Sequence, residues 1–283
     1  MSAADEQGLE EAIIISRVKE LRKDMSRLGT RKLQHMLTPL LTQHGIKIGR
    51  DKLFDLLADN GLLVRRRKRR KVATTDSNHP YRRYPNLIKG LEILSAGQLW
   101  VSDITYISLR EDFGYLSLVT DAYSRKIVGY CLYPSLKAEG PLLALDMALR
   151  QCSNNGNLIH HSDRGSQYCC HQYIGLLQRN GIRISMTEKG DPYENAIAER
   201  VNGILKAEFG LDDEFDNFEQ AKQAVDRAIN IYNNLRPHAS CDYMTPEQAH
   251  QVKGKIRKRW KQRELVIEEE GGKTFKGVNL FQD

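Results

Sequence analysis

The chain has 283 residues, 40% hydrophobic and 28% charged, enough for one large domain or two modest ones with a full core. Its net charge of +7 is local, because seven of the 43 basic residues form the block Arg65-Arg66-Arg67-Lys68-Arg69-Arg70-Lys71 and the remaining 36 equal the acids in number. That distribution excludes a general polycation and points to a polyanion contact at one place.

The five cysteines show no Cys-x-x-Cys pair and no disulfide-like spacing, which excludes a disulfide scaffold. The apolar run Ala12 to Ile15 is far too short for a membrane span and no signal peptide precedes it, so a cytoplasmic protein without a membrane partner is expected.

In chain order, residues 11–64 read as helical, and residues 1–64 as one all-α module. Ile13, Ile14, Val18 and Leu21, then Leu33, Met36, Leu37, Leu40 and Leu41, follow helical spacing. A turn at 45–49 leads to a last helix, Arg50 to Asn60, with Gly61 as its C-cap. Two short helices joined by a glycine-bearing turn and followed by a basic block suggest a DNA-binding helix-turn-helix. Its candidate DNA contacts are Arg50, Lys52, Arg65, Arg66, Arg67, Lys68, Arg69, Arg70 and Lys71.

Residues 65–90 read as a basic, proline-bearing linker. A core at 91–253 follows. It opens with a three-strand meander at 99–109, 115–120 and 126–133. Next come a helix (138–152), a strand (158–161), a helix (166–180), a strand (183–186) and a long helix (193–209). This order is that of an α/β, ribonuclease-H-like fold, a mixed five-stranded sheet with flanking helices. A further helix spans 218–232, and Thr245-Pro246-Glu247-Gln248 carries a capping box at the start of another. The tail, 254–283, is charged and expected to be loosely ordered.

Three acids stand out. Asp103 sits mid-strand among apolar residues, where a lone carboxylate is costly unless paired or metal-bound. Asp163 lies just past a short apolar strand, where ligands collect. Glu199 shares a polar helix stripe with Asn195, Asn202 and Lys206, opposite an apolar stripe of Ile197, Val201, Ile204 and Leu205. Three carboxylates from two strands and a helix form an oxygen-only site suited to magnesium rather than zinc. Two ions there can activate an attacking oxygen and stabilise the leaving oxygen of a displacement at phosphorus. Lys206 and Asn195 are then candidate DNA contacts beside the acids. Asp121, Asp191 and Glu194 are read as turn or helix-start acids. His160, His161, Cys169, Cys170 and His171 fit no zinc spacing.

The strings Trp100-Val-Ser-Asp103-Ile-Thr-Tyr106, His161-Ser-Asp163-Arg-Gly-Ser-Gln-Tyr168, Glu194-Asn-Ala-Ile-Ala-Glu199-Arg200 and Tyr232-Asn-Asn-Leu-Arg-Pro-His238 resemble those of OrfB-type transposases of the insertion sequence 3 family. Those transposases are relatives of retroviral integrases. The likeness covers about residues 28 to 250 and includes 35 residues between the last two acids. It departs mildly at Glu194, where the family often has aspartate. The resemblance implies a DDE core in which Asp103, Asp163 and Glu199 are catalytic and bind magnesium, for which manganese can substitute, with two ions when DNA is bound. It implies double-stranded DNA as partner, both transposon ends and target, with Lys206 contacting the element end. A homo-oligomer on DNA and an upstream OrfA-type fusion partner are also implied. The function expected is metal-dependent cleavage at transposon ends and strand transfer of the 3′-hydroxyl. A non-transposing nuclease on the same fold and a catalytically silent DNA-binding regulator are the alternatives.

Overall fold

The meander forms because its apolar and β-branched residues alternate along three runs separated by turn residues. In the computed structural model, Leu99–Ser108 is β1, Phe113–Asp121 is β2 and Ile127–Tyr133 is β3. The structure describes residues 3–64, 79–152, 156–188 and 195–257, and the strand backbones 264–268 and 274–278. Ile159–Ser162 forms β4 and Arg183–Met186 forms β5. The strand order is β3-β2-β1-β4-β5, with β1 antiparallel to β2, β2 antiparallel to β3, and β1, β4 and β5 mutually parallel. This is the ribonuclease-H-like mixed sheet expected from the chain order.

Register decides where the acids fall. Val101 pairs with His161 in the parallel β1–β4 ladder. Two residues further along each chain stand Asp103 and Asp163, and a shift of two keeps a residue on the same sheet face.

Helices cover both faces. On one side α4 (Glu139–Arg150) and α6 (His171–Arg179) pack against Trp100, Ile104, Val119 and Ile184. The close approach of α4 requires Gly129, since a Cβ there would stand 2.0 Å from the Ala144 carbonyl oxygen. On the other side α7 (Ala196–Phe209) and α8 (Phe218–Asn234) bury Val201, Ile204, Leu205 and Tyr232 against Ile107, Leu116 and Leu118. A short helix, α5 (Ser166–Cys169), precedes α6, and α9 (Pro246–His250) carries the expected Thr245–Gln248 capping box.

The N-terminal helices are α1 (Ala3–Asp24), α2 (Thr30–Thr42) and α3 (Arg50–Asp59). Their apolar stripes close one cluster of Ile14, Val18, Leu33, Leu37, Leu41, Leu53 and Leu57. Gly61 ends α3 in the left-handed conformation, φ +64°, as the C-cap role requires.

This helical group is clamped onto the rest of the chain. Ile231 of α8 joins its apolar cluster. Arg27 pairs with Asp212 at 2.9 Å, and Arg227 with Asp24 at 2.8 Å. At the centre, Glu208 near the end of α7 accepts from the buried Arg236 at 2.8 and 2.7 Å and from Lys32 of α2 at 3.2 Å. Burial disfavours the Glu208 carboxylate, yet Arg236 and Lys32 more than offset it and hold its pKa down to about 2.

Four expectations are corrected. The helix expected at 166–180 breaks at Cys170, whose backbone is extended. Helix α7 begins at Ala196, not at 193. The segment from His79 to Gln98, expected partly as linker, lies along the core: Leu87 N–H donates to Ser185 Oγ at 2.9 Å and Met186 N–H to the Pro85 carbonyl. The tail carries an antiparallel ribbon of β6 (Glu264–Glu268) and β7 (Thr274–Val278). The basic residues Arg65 to Lys71, and Asp191 and Glu194, lie outside the described residues. Among the described residues no helix is long and apolar enough to cross a membrane.

Candidate active site

Asp103 stands mid-β1 opposite Leu118, on the face that α7 covers. Its Oδ2 accepts a 2.8 Å hydrogen bond from Asn202 Nδ2. Burial and then the nearby Asp163 push its pKa up from 3.8 to about 7, with Glu199 adding to the rise. The Asn202 hydrogen bond and the Ile104 N–H oppose the shift by favouring the carboxylate. Asp163 and Glu199 are both within electrostatic reach of Asp103.

Asp163 follows β4 directly and is held by its own turn, Gly165 N–H donating to Oδ1 at 2.9 Å. A Cβ at Gly165 would stand 3.1 Å from that same oxygen, so glycine leaves the carboxylate its room. Glu199 lies in the first turn of α7, where a carboxylate suits the helix dipole, and its side chain is exposed. Among the described residues no three His, Cys, Asp or Glu side chains stand close enough to hold a metal ion as placed. Asp103 and Asp163 therefore form the inner part of the site, and Glu199 stands at its open side.

Behind the acids is a buried polar layer that sequence reasoning read only as a lack of zinc. Ser102 Oγ and Tyr173 Oη lie 2.8 and 3.0 Å from His160 Nε2, and His161 Nδ1 lies 2.8 Å from Ser185 Oγ. Burial, then His161, drives the His160 pKa down to about 3, so this ring is neutral and serves as a hydrogen-bonded support. Among the described residues, three buried polar atoms here have no hydrogen-bond partner: Tyr168 Oη, Asn195 Oδ1 and Asn202 Oδ1. A fully buried orphan is expensive, and a cluster of them fits a site that engages further polar groups during its work.

Asn195, expected to face DNA, is buried and holds the Ser102 carbonyl at 3.1 Å through its Nδ2. It is the residue before α7, not part of its polar stripe, and so it anchors the helix to β1. Asn202, in contrast, bonds the Asp103 carboxylate directly. Lys206 sits with Nζ 3.7 Å from the Tyr106 ring centroid, and Phe113 meets that ring edge-on at 5.6 Å. Two turns separate Lys206 from Glu199, roughly 10 Å along the helix. Asp121 is a turn acid as expected, fully buried and accepting from Gly97 N, Tyr123 N, Ser124 N and Ser124 Oγ. Arg50 pairs with Asp51 at 2.7 Å at the exposed start of α3, and Lys52 is exposed beside it.

Two family models described as integrase core domain match residues 94–192 and 180–246. The insertion element IS600 31 kDa protein of Shigella sonnei is 38% identical over 231 residues, 79% of this chain and 83% of that protein. The transposase for insertion sequence element IS904 of Lactococcus lactis is 28% identical over 235 residues, 76% of this chain and 92% of that protein. Transposase InsF for insertion sequence IS3A of Escherichia coli K12 is 38% identical over 152 residues, 53% of each chain. With the sheet order, the integrase-core matches and these relatives together, the chain belongs to the insertion sequence 3 family, as a transposase whose integrase-type core acts in DNA transposition.

Proposed function

We propose that Asp103, Asp163 and Glu199 are the catalytic acids and hold divalent magnesium, two ions when DNA is bound. The observation that carries this is the strain on the Asp103 carboxylate, whose pKa rises to about 7 through burial first and then through the nearby Asp163 and Glu199. A divalent cation is the group that relieves it, and the all-oxygen donor set fits magnesium or manganese. Once bound, such ions stabilise charge on the attacking and leaving oxygens at phosphorus.

The chain's own residues do the positioning. Asn202 fixes Oδ2 of Asp103, and the Gly165 N–H fixes Oδ1 of Asp163. Glu199 closes the open side from α7. Lys206, held over Tyr106, meets a phosphate of the element end. The helices at 1–64, with Arg50 and Lys52, and the basic run Arg65–Lys71 contact double-stranded DNA. Residues 91–253 are the catalytic core and 65–90 join the two. The chain works in the cytoplasm as a homo-oligomer on DNA, with an upstream OrfA-type protein as fusion partner.

The test is a strand-transfer assay with precleaved ends and magnesium. Joined products with the natural chain, and none with Asp163→Asn, are the expected result. Hydrolysis without joined products would replace this reading with that of a nuclease.

A further inference from the structure

The segment His79-Pro-Tyr-Arg82-Arg83-Tyr84-Pro85 interleaves aromatic and basic residues, and the fold seats it beside Asp163. His79 Nε2 donates to the Arg164 carbonyl at 2.8 Å, which ties the segment to the very turn that carries Asp163. The Tyr81 ring meets His171 edge-on at 5.8 Å. Tyr84 packs against the main core cluster, and further on Pro85 and Leu87 hydrogen-bond along β5. Five contacts to separate core residues fix its course.

The basic side chains point the other way. Arg82 and Arg83 are both exposed. The Arg82 guanidinium lies 5.2 Å from the Tyr84 ring centroid, so a ring packed on the core pre-organises it. Cys169, buried beneath the turn, is within electrostatic reach of Asp163, Arg83 and Arg164 alike. Arg83 thus shares the surroundings of Cys169 with Asp163, on a segment that His79 ties to the Asp163 turn. An exposed guanidinium pair with limited freedom, at the rim of a site for phosphate chemistry, has the features of a phosphodiester grip.

We propose that Arg82 and Arg83 form a DNA-phosphate contact strip that holds the backbone of the strand entering the site on the Asp163 side. The strip rests on the reading of the acids as a site acting on DNA. Phosphate contacts carry no sequence information, so any duplex probes them.

The experiment measures binding of the full-length chain to a mixed-sequence duplex of about 30 base pairs by fluorescence anisotropy, across a salt series. The natural chain, Arg82→Gln/Arg83→Gln and Asp163→Asn are compared. Losing two phosphate contacts lowers the slope of log affinity against log salt by ~1.8 and weakens binding by roughly tenfold at moderate salt. Both side chains are exposed, so the thermal midpoint of the double variant stays unchanged, and a drop in it would show misfolding rather than lost contact. In that case the single variants Arg82→Gln and Arg83→Gln are used, each of which lowers the slope by ~0.9 if the strip acts on phosphate. An unchanged slope in a folded double variant overturns the proposal. If the natural chain binds but neither cleaves nor joins DNA in magnesium, the reading of the acids fails, while the strip is still decided by the slope.

Discussion

Replacing Asp103 by asparagine should make the metal-free protein more stable, although it removes one of the three acids proposed to be catalytic. The native Asp103 pKa is about 7 against 3.8 for a free aspartate. Each pH unit of that separation is worth about 1.4 kcal/mol, which sets a ceiling of ~4 kcal/mol on what ionising Asp103 costs the fold. Asp103 as a residue is half-buried and its surroundings relax, so ~1–2 kcal/mol is expected. The native state binds its proton more tightly than the unfolded chain does. Stability linked to the protonated form is therefore complete below 3.8 and is lost as pH rises through about 7. Asparagine has no charge to bury, and its carbonyl oxygen still accepts from Asn202. In chelator near pH 8 its melting temperature should exceed that of the natural chain by ~2–6 °C, with the gain vanishing at about pH 4. Saturating magnesium should reverse the order, because only the natural chain gains from the ion. Scanning calorimetry over that pH range, with chelator and with magnesium, makes the measurement. A variant that is no more stable near pH 8, or whose advantage ignores pH, would refute the reasoning that burial and the neighbouring acids strain Asp103.

Other consequences are equally direct. Asn202→Ala frees Asp103 from the hydrogen bond that favours its charged form, so the acid limb of the pH–rate profile should move upward and the magnesium requirement rise by roughly tenfold. Glu208→Ala strands the buried Arg236 and should cost ~3–5 kcal/mol in urea unfolding. Because the Glu208 pKa is held at about 2, its contribution in the natural chain is present above 4.5 and lost as pH falls through about 2. Gly129→Ala drives a methyl into the Ala144 carbonyl of α4 and should cost more than ~2 kcal/mol, read from the same unfolding curves.

How much of this was legible beforehand depended on whether the signal was local. Asp103, Asp163 and Glu199 each sit in a short string of recognisable periodicity, and the strand order supplies the parallel β1–β4 register that brings the first two together. Asn195 was misplaced because helical phase extends backwards without limit on paper. The helix in fact starts one residue later, and the preceding amide turns inward to β1. The string Tyr232–His238 was recognisable, but its work was not. Tyr232 Oη donates to the Arg125 carbonyl, Asn233 bonds both the N–H and the carbonyl of Ile127, and Arg236 reaches Glu208. Pairings across such separations leave no periodic trace. The same holds for the seat of residues 79–87, where prolines read as linker and the partners lie about a hundred residues away.

The Glu208 clamp bears on how this protein can be dissected. A catalytic fragment cut from the chain at residue 91 would lose Lys32 from the carboxylate, uncover Ile231, and strip the β5 edge of Leu87 and Pro85. Arg236 and Glu208 would be left as a two-member pair at a newly wetted surface. Helix α7 would then be anchored less firmly at the end opposite Glu199. An excised core should thus be judged by its solubility and by the order of α7 before any weak activity is taken as a property of the acids, and the first excision boundary to try is the one that keeps both the clamp and residues 79–87 intact.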